Sequence, residues 1–319
     1  MSLIDKPDSN RRVVIDQINP SVDCGRNPFK RVIGDWILFT AHAFADSHDL
    51  LQVELRIRKV DTYSWQVFPM KPLGNDEFEV TYCTDSIGLF EFEVAGVIDH
   101  YGSWQEGFQK KHEEGIPLDI ECLIGAELLE HTAKRANKKH AAKLNEWATH
   151  LADSTADIEA RINLAYSRHV AGIARIYPQR DWETISTRSL ILVERELAAF
   201  STWYEYFPRS CVYDGKTHGT FKVAAKQLPL IHKMGFNIVY LPPIHPVGRE
   251  FRKGKNNSLT PSRKDVGSPW AVGAKEGGHK SILPALGKLE DFQYFLNEAE
   301  MRGMEVALDI AFQCAPDHP

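Results

Sequence analysis

The segment from residue 244 to residue 287 concentrates side chains suited to holding a polar ligand. It carries the run RKGKNN at residues 252–257, a tryptophan at Trp270 and many glycines. Lysine supplies a point charge, asparagine donates and accepts hydrogen bonds, and tryptophan offers a flat stacking surface. This combination favours a hydroxyl-rich or anionic ligand. The alternative is an ordinary solvated loop whose charges are incidental.

The histidines and cysteines do not indicate a metal site. The histidines of the last third do not follow a metal-ligand spacing, and only His245 and His279 are kept as candidates for ligand contact, because both lie in segment 244–287. The five cysteines are widely separated, which predicts reduced thiols in a cytoplasmic protein. We therefore expect neither a metal ion nor a cofactor.

The elements around this segment alternate between strand and helix. Strands are predicted at residues 203–207, 237–241 and 305–311, with helices at 221–234 and 289–302. Pro229 weakens the first of these helices, and Gly235 ends it. The pattern predicts a parallel sheet, either doubly wound or part of a (β/α)8 barrel. In both folds ligands bind at the carboxyl ends of the strands, where segment 244–287 begins.

The preceding residues predict a second kind of fold. Strand-like runs at residues 35–43, 51–60, 78–84 and 87–97 predict an antiparallel β-sandwich. A proline-free stretch with apolar residues at helical spacing follows, and residues 189–198 return to strand character. We expect a multidomain protein: a sandwich of residues 1–118 plus 180–200, a helical insertion of residues 119–179, and an α/β domain of residues 201–319.

Bulk properties exclude several classes of partner. The chain has 319 residues, which suits about two domains of roughly 150 residues each. Its net charge of -5 gives no reason to expect a nucleic-acid partner and argues against a large contact with a phosphate backbone. No apolar run reaches the roughly 18 residues of a membrane span, and the first residues lack the apolar core of a secretion signal. We expect a cytoplasmic protein with neither nucleic-acid nor membrane partners.

Two stretches resemble the α-amylase superfamily, glycoside hydrolase family 13. Residues 226–248 (KQLPLIHKMGFNIVYLPPIHPVG) are similar to its first barrel helix and second strand, and residues 305–319 (EVALDIAFQCAPDHP) to its first signature region. Asp309 matches the aspartate of that region, whereas Gln313 and Cys314 stand where asparagine and histidine are usual. The resemblance implies that residues 201–319 are the first three strands of a (β/α)8 TIM barrel.

The Gln-Cys pair narrows the resemblance to one branch, the α-1,4-glucan:maltose-1-phosphate maltosyltransferases. Residues 203–209 (WYEYFPR), 252–257 (RKGKNN) and 265–273 (DVGSPWAVG) are similar to the same branch. The resemblance implies a homodimer that transfers maltosyl units from maltose 1-phosphate to an α-1,4-glucan in glycogen-type synthesis. It implies that Lys253 and Gln313 bind substrate, each by donating hydrogen bonds to sugar hydroxyls. Asp309 is expected to be a structural acid, and Cys314 a small buried side chain.

The resemblance also implies that the catalytic carboxylates are absent from this chain. In the superfamily the nucleophile, the acid/base and a third aspartate come from strands four, five and seven, whereas this sequence ends after strand three. We therefore nominate none of Glu305, Asp309 and Asp317 as catalytic. The expectation is an inactive fragment, with an open strand edge that destabilises its last third.

Two other functions are kept as alternatives. One is a hydrolase or debranching enzyme of the same superfamily, against which the Gln-Cys pair and the RKGKNN run speak. The other is a non-catalytic module whose sandwich binds glucan or mediates dimerisation. Release of phosphate from maltose 1-phosphate would distinguish the transferase from both.

Overall fold

The computed structural model of the chain describes residues 11–212 and 218–319. Residues 1–10 of the predicted sandwich and residues 213–217 of the predicted barrel segment lie outside the described residues. The chain forms two compact units, Met1–Glu196 and Leu197–Pro319. The predicted boundary at residue 200 is close to this division, and the predicted helical insertion belongs to the first unit.

The strands of the first unit form two sheets. They are β1 Val13–Asn19, β2 Phe29–Val32, β3 Trp36–Ala45, β4 Leu51–Lys59, β5 Gln66–Pro69, β6 Lys71–Gly74, β7 Glu77–Cys83, β8 Gly88–Ile98, β9 Thr184–Ile185 and β10 Ser189–Glu194. One sheet has the order β1-β3-β7-β6, and the other has the order β2-β10-β8-β4-β5 with β9 beside β8. The predicted strand runs are confirmed as β3, β4, β7 and β8.

Alternating side chains of both sheets meet in one apolar core. Along β3 every second residue from Ile37 to Ala43 is buried, while Trp36 and Leu38 are exposed. The rings of Phe29, Phe39 and Phe92, from β2, β3 and β8, pack edge to face with centroids 5.0–6.2 Å apart. This period-two burial is what a two-layer sandwich requires.

The sequence predicted an antiparallel sandwich, and this prediction is wrong for one pair of strands. β10 pairs antiparallel with β8 but parallel with β2, with Leu192 opposite Lys30. β10 lies between these two strands and buries Ile191 and Val193 in the sandwich core. A strand that returns after the helices thus joins β2 to the rest of its sheet.

Five helices separate β8 from β9 and have a core of their own. They are α1 His100–Glu113, α2 Asp119–Ala133, α3 Lys138–Ala152, α4 Ile158–Ala165 and α5 Arg168–Ile176. The helical segment therefore begins at His100, within residues that the sequence analysis had assigned to the sandwich. The Asp99 carboxylate caps α1 by accepting a hydrogen bond from the Gly102 amide, and Trp104 and Phe108 bury one face of the helix.

The second unit is a three-stranded parallel sheet with helices between its strands. Its elements are β11 Trp203–Glu205, α6 Phe221–Ala225, α7 Leu228–Lys233, β12 Ile238–Leu241, α8 Leu289–Glu300 and β13 Glu305–Leu308. The strands pair in the order β11-β12-β13, and all are parallel. Pro229 stands in the first turn of α7, which divides the single helix predicted there into two.

The helices of this unit share a core with one face of the sheet. Val239 and Leu241 of β12 pack with Phe221 of α6 and Phe295 of α8, all fully buried. Tyr240 points to the opposite face, where its ring lies 6.1 Å from that of Trp203. The predicted strand-helix-strand pattern is confirmed, whereas a closed eight-stranded barrel remains a proposal.

Candidate substrate-binding site

The segment between β12 and α8 is internally ordered, although it holds only short 3-10 turns at Lys255–Asn257 and Gly278–Lys280. The guanidinium of Arg252 donates to three carbonyl oxygens of this segment, those of Val247 at 2.6 Å, Gly248 at 2.8 Å and Asp265 at 3.1 Å. Arg209 donates to the Gly267 carbonyl at 3.0 Å, and burial lowers its pKa. These arginines hold the segment in place rather than facing solvent, which argues against an ordinary solvated loop.

The segment is also joined to the residues that follow β13. Val272 forms an antiparallel bridge with Val247 and a parallel bridge with Cys314. The Asp317 carboxylate accepts from the Arg249 amide at 2.8 Å. A Cβ at Gly248 would lie 2.1 Å from that of Ala315, so this close approach requires glycine. The carboxyl end of the third strand and the long segment thus form one piece.

Lys253 is the one cation of the RKGKNN run that is half-buried and makes no hydrogen bond or ion pair within residues 11–212 and 218–319. Its neighbours are fixed: Arg252 by three carbonyls, and Gly254 by a hydrogen bond from its amide to the Ser258 carbonyl at 2.9 Å. The backbone is therefore positioned while the ammonium keeps its three donors for a ligand.

Gln313 lies after β13, between two anchored alanines. The Ala315 amide donates to the Val272 carbonyl at 2.8 Å, and the Ala311 carbonyl accepts from the His279 ring at 2.7 Å. The Gln313 side chain is exposed and has no hydrogen-bond partner among the described residues. No hydrogen bond joins Gln313 to Lys253 in that part of the chain, so a shared ligand remains a prediction.

Asp309 orders its neighbours, as predicted from the sequence. Its carboxylate accepts from the Trp270 indole nitrogen at 2.6 Å. A hydrogen bond with the same carboxylate raises the pKa of Tyr240, with burial as a second cause. Tyr240 and Phe207, whose ring lies 6.1 Å from that of Trp270, were missed by sequence reasoning. The signal for Tyr240 was its position between Val239 and Leu241, which sends it to the opposite face of the sheet.

Cys314 is exposed, which corrects the expectation of a small buried side chain. It takes part in the bridge with Val272 through its backbone, so its position is set by main-chain pairing and not by burial of the thiol. The sequence showed an apolar neighbourhood but not that the strand had already ended at Leu308.

The two histidines kept as candidates lie next to each other. The ring centroids of His245 and His279 are 5.3 Å apart, and a third ring, that of His318, lies 5.0 Å from His279. His245 Nδ1 is 2.9 Å from the Ser281 carbonyl oxygen. Both candidates are therefore engaged by protein groups. Within the described ranges no group of three histidine, cysteine, aspartate or glutamate side chains could hold a metal ion.

No helix within residues 11–212 and 218–319 is long and apolar enough to span a membrane.

Comparison with known protein families gives a match over more than half of the chain. Residues 11–195 match the family model described as α-1,4-glucan:maltose-1-phosphate maltosyltransferase, domain N/S.

Two similar proteins carry the same name over almost the whole chain. The α-1,4-glucan:maltose-1-phosphate maltosyltransferase of Methylacidiphilum infernorum is 45% identical over 98% of this chain and 46% of its own length. That of Chlorobaculum tepidum is 42% identical over 99% of this chain and 47% of its own length. The chain thus spans about half the length of these relatives.

A structural comparison overlaps only a part of the chain. The α-amylase from Geobacillus thermoleovorans, complexed with acarbose, has 23% identity and a TM-score of 0.25 over 37% of this chain and 24% of that one. So low a score supports no conclusion about the fold.

Proposed function

The chain belongs to the α-1,4-glucan:maltose-1-phosphate maltosyltransferase family, and we propose that it is the N-terminal part of an enzyme that transfers maltosyl units. Maltose 1-phosphate is the proposed donor, the non-reducing end of an α-1,4-glucan is the proposed acceptor, and phosphate is released. A homodimer in the cytoplasm, engaged in glycogen-type synthesis, belongs to the same proposal.

The observation that carries the proposal is Lys253, a half-buried residue with no hydrogen-bond or ion-pair partner within residues 11–212 and 218–319, in a segment that is otherwise held by its own side chains. A lysine ammonium has three hydrogen-bond donors, so a ligand that supplies oxygen atoms could accept from donors that the described residues leave unused. The hydroxyl groups of a maltosyl unit are such oxygen atoms. Gln313, exposed at the carboxyl end of β13, is the second proposed contact.

The proposed barrel follows from the parallel order β11-β12-β13 with helices between consecutive strands. In (β/α)8 enzymes the site lies at the carboxyl ends of the strands, and the segment that holds Lys253 follows β12 there. The retention of anomeric configuration requires two carboxyl groups about 5 Å apart. We assign no such pair among the described residues, because the family resemblance places these carboxyl groups on strands four, five and seven of the barrel, whereas Asp309 and Asp317 follow the third strand of the sheet.

The test is an assay of phosphate release by the native protein that contains these residues. With maltose 1-phosphate and maltohexaose, we expect phosphate and maltooligosaccharides longer by two glucose units, with the α-anomer retained in proton NMR spectra. Release of free maltose in place of elongation would identify a hydrolase. Binding to glucan with no turnover of maltose 1-phosphate would identify a non-catalytic module, and either result would overturn the proposal.

A further inference from the structure

A small cavity lies within the first unit, where the helices meet the sandwich. Gln52 of β4, Tyr101 of α1 and Arg135, which follows α2, are among the side chains that line it. Its volume is about 40 Å³, whereas one ordered water needs roughly 10–15 Å³ of such space. The cavity therefore has room for about three or four water-sized atoms, which suits a small ion better than a sugar ring.

Tyr101 contributes a hydroxyl that has no partner. The residue is only 5% exposed, and its hydroxyl is buried without a hydrogen bond to any residue within 11–212 and 218–319. Burial raises the pKa of Tyr101, so the hydroxyl keeps its proton near neutral pH. A buried hydroxyl without a partner is unfavourable. A ligand in the cavity that accepts a hydrogen bond would remove this cost.

Arg135 brings a positive charge to the same cavity. Its Nε and Nη2 atoms donate to the Tyr177 carbonyl oxygen, both at 3.3 Å, and no carboxylate in the described part of the chain forms an ion pair with it. Burial lowers the pKa of Arg135, and the more distant charge of Asp181 opposes that effect. A guanidinium has five N–H donors, so most of those of Arg135 remain available. The other basic side chains that line the cavity are His100 and His131.

The one acidic side chain among the described residues of the lining is already occupied. Oδ1 of Asp99 accepts from the Gly102 amide at 3.0 Å, and its Oδ2 atom accepts from Nε of Arg175 at 2.8 Å. Asp99 therefore leaves the charge of Arg135 uncompensated. Gln52, half-buried on β4, makes no side-chain hydrogen bond within the described ranges, so its amide offers a further donor.

We propose that this cavity binds a free oxyanion of the phosphate type, held by Arg135, Tyr101 and Gln52. A guanidinium pairs with two phosphate oxygens at once, and the hydroxyl and the amide can donate to the others. The site lies wholly within the first unit, so its evidence does not depend on Lys253 or on the proposed maltosyl transfer. An anion bound there would join β4, the start of α1 and the end of α2, and so would stabilise the contact between helices and sandwich.

Hydrogen exchange of the native protein tests the proposal at the cavity itself. Exchange is compared in inorganic phosphate and in chloride of equal ionic strength, at pH 7. We expect phosphate to slow exchange of the amides of residues 100–103 and 131–136 about tenfold at a concentration of roughly nine times its Kd. Lys253→Ala should leave this protection unchanged, which separates the cavity from phosphate bound at the proposed sugar site.

Three variants identify the groups that hold the anion. Arg135→Gln should raise the Kd for phosphate about 10–100-fold, because it removes a hydrogen-bonded charge. Tyr101→Phe should raise it about tenfold, and without phosphate it should be at least as stable as the wild type, since it removes an unpaired buried hydroxyl. The control Lys134→Gln removes the same charge from the neighbouring exposed position and should leave the Kd unchanged.

Equal exchange in phosphate and chloride would overturn the inference, and so would phosphate protection that persists in both Arg135→Gln and Tyr101→Phe. Protection by glucose 1-phosphate without protection by inorganic phosphate would show that the cavity takes the phosphoryl group of a larger molecule, and would refute a free ion. An enzyme that fails to transfer maltosyl units would refute the proposed function and would leave this result untouched.

Discussion

At the scale of single residues, Lys253 and Lys255 provide a matched pair. Both belong to the RKGKNN run, but Lys253 is half-buried whereas Lys255 is exposed in the turn Lys255–Asn257. We predict that Lys253→Ala raises the KM for maltose 1-phosphate about 10–100-fold, because a hydrogen bond to a charged group contributes about 1.5–3 kcal/mol. Lys255→Ala should change it less than twofold. Initial-rate kinetics check both, and equal effects would contradict the assignment of Lys253.

Sequence reasoning reached this residue only through the resemblance. The types and spacing of Arg252 and Lys253 did not reveal that the first would donate to three carbonyl oxygens, whereas the second has no partner in the part of the chain that the structure describes. That distinction depends on how the segment folds back on itself at Val247 and Asp265. The structural role of Asp309 was easier to predict. A carboxylate within a strand pattern needs hydrogen-bond donors, and the Trp270 indole nitrogen is one of them.

At the scale of elements, α1 and α2 pack at a glycine. A Cβ at Gly125 would lie 2.2 Å from the ring of Trp104, which is held by a hydrogen bond from its indole nitrogen to the Glu121 carbonyl. We predict that Gly125→Ala lowers the free energy of unfolding by about 1–2 kcal/mol, because overpacking outweighs the gain in helix propensity.

The matched control is Gly172→Ala in α5, where a Cβ would meet nothing within 4 Å. It should raise the free energy of unfolding by about 0.5–1 kcal/mol, since alanine is the better helix former. Urea denaturation followed by circular dichroism measures both. A stabilising Gly125→Ala would show that Trp104 can move aside.

A second prediction at this scale concerns the ion pairs that join β4 to the chain after α5. Glu54 accepts from Arg56 at 2.6 Å and from Arg180 at 2.9 Å, and Arg56 also reaches Glu183 at 2.5 Å. Burial by itself raises the pKa of Glu54, but the bonds from Arg180 and Arg56 outweigh it and leave the pKa below its usual value.

A carboxylate whose pKa is lowered by folding stabilises the protein above its unfolded pKa of about 4.3, and that contribution is lost as pH falls through the folded value. We predict that Glu54→Gln lowers the free energy of unfolding by about 1–3 kcal/mol at pH 7 and by much less at pH 3. Glu106→Gln, at an exposed position of α1, should have no effect. Urea denaturation midpoints of both variants, measured at pH 7 and pH 3, test this prediction. An equal loss in the free energy of unfolding at the two pH values would contradict a stabilising role of the ion pairs.

The sequence predicted those elements whose signal is local. Alternation along β3 and β4 and the glycine after α7, whose φ is +91°, were readable from neighbouring residues. The parallel pairing of β10 with β2 was not, because nothing in either strand specifies a partner so distant in the chain. The start of α1 was missed because Gly102 follows its cap closely, and glycine usually argues against a helix.

At the scale of the whole molecule, the division at Glu196 predicts that the first unit folds without the second. We expect a chain of residues 1–196 to unfold cooperatively and to show near-ultraviolet circular dichroism. A chain of residues 1–188 should lose that signal, because it lacks β10, whose Ile191 and Val193 are at most 1% exposed. Equal cooperativity of both chains would contradict the structural role of β10.

The position of β10 also has a consequence for synthesis on the ribosome. β2 pairs only with β10 among the described strands, so its edge stays open while the five helices are being translated. The helices have their own apolar core and can form as soon as they emerge. The core of the nascent sandwich cannot be completed until residue 194 has left the exit tunnel, because β10 supplies Ile191 and Val193 to that core. A pause in translation before that point would prolong the exposure of an unpaired strand, which is where a chaperone would have most to protect.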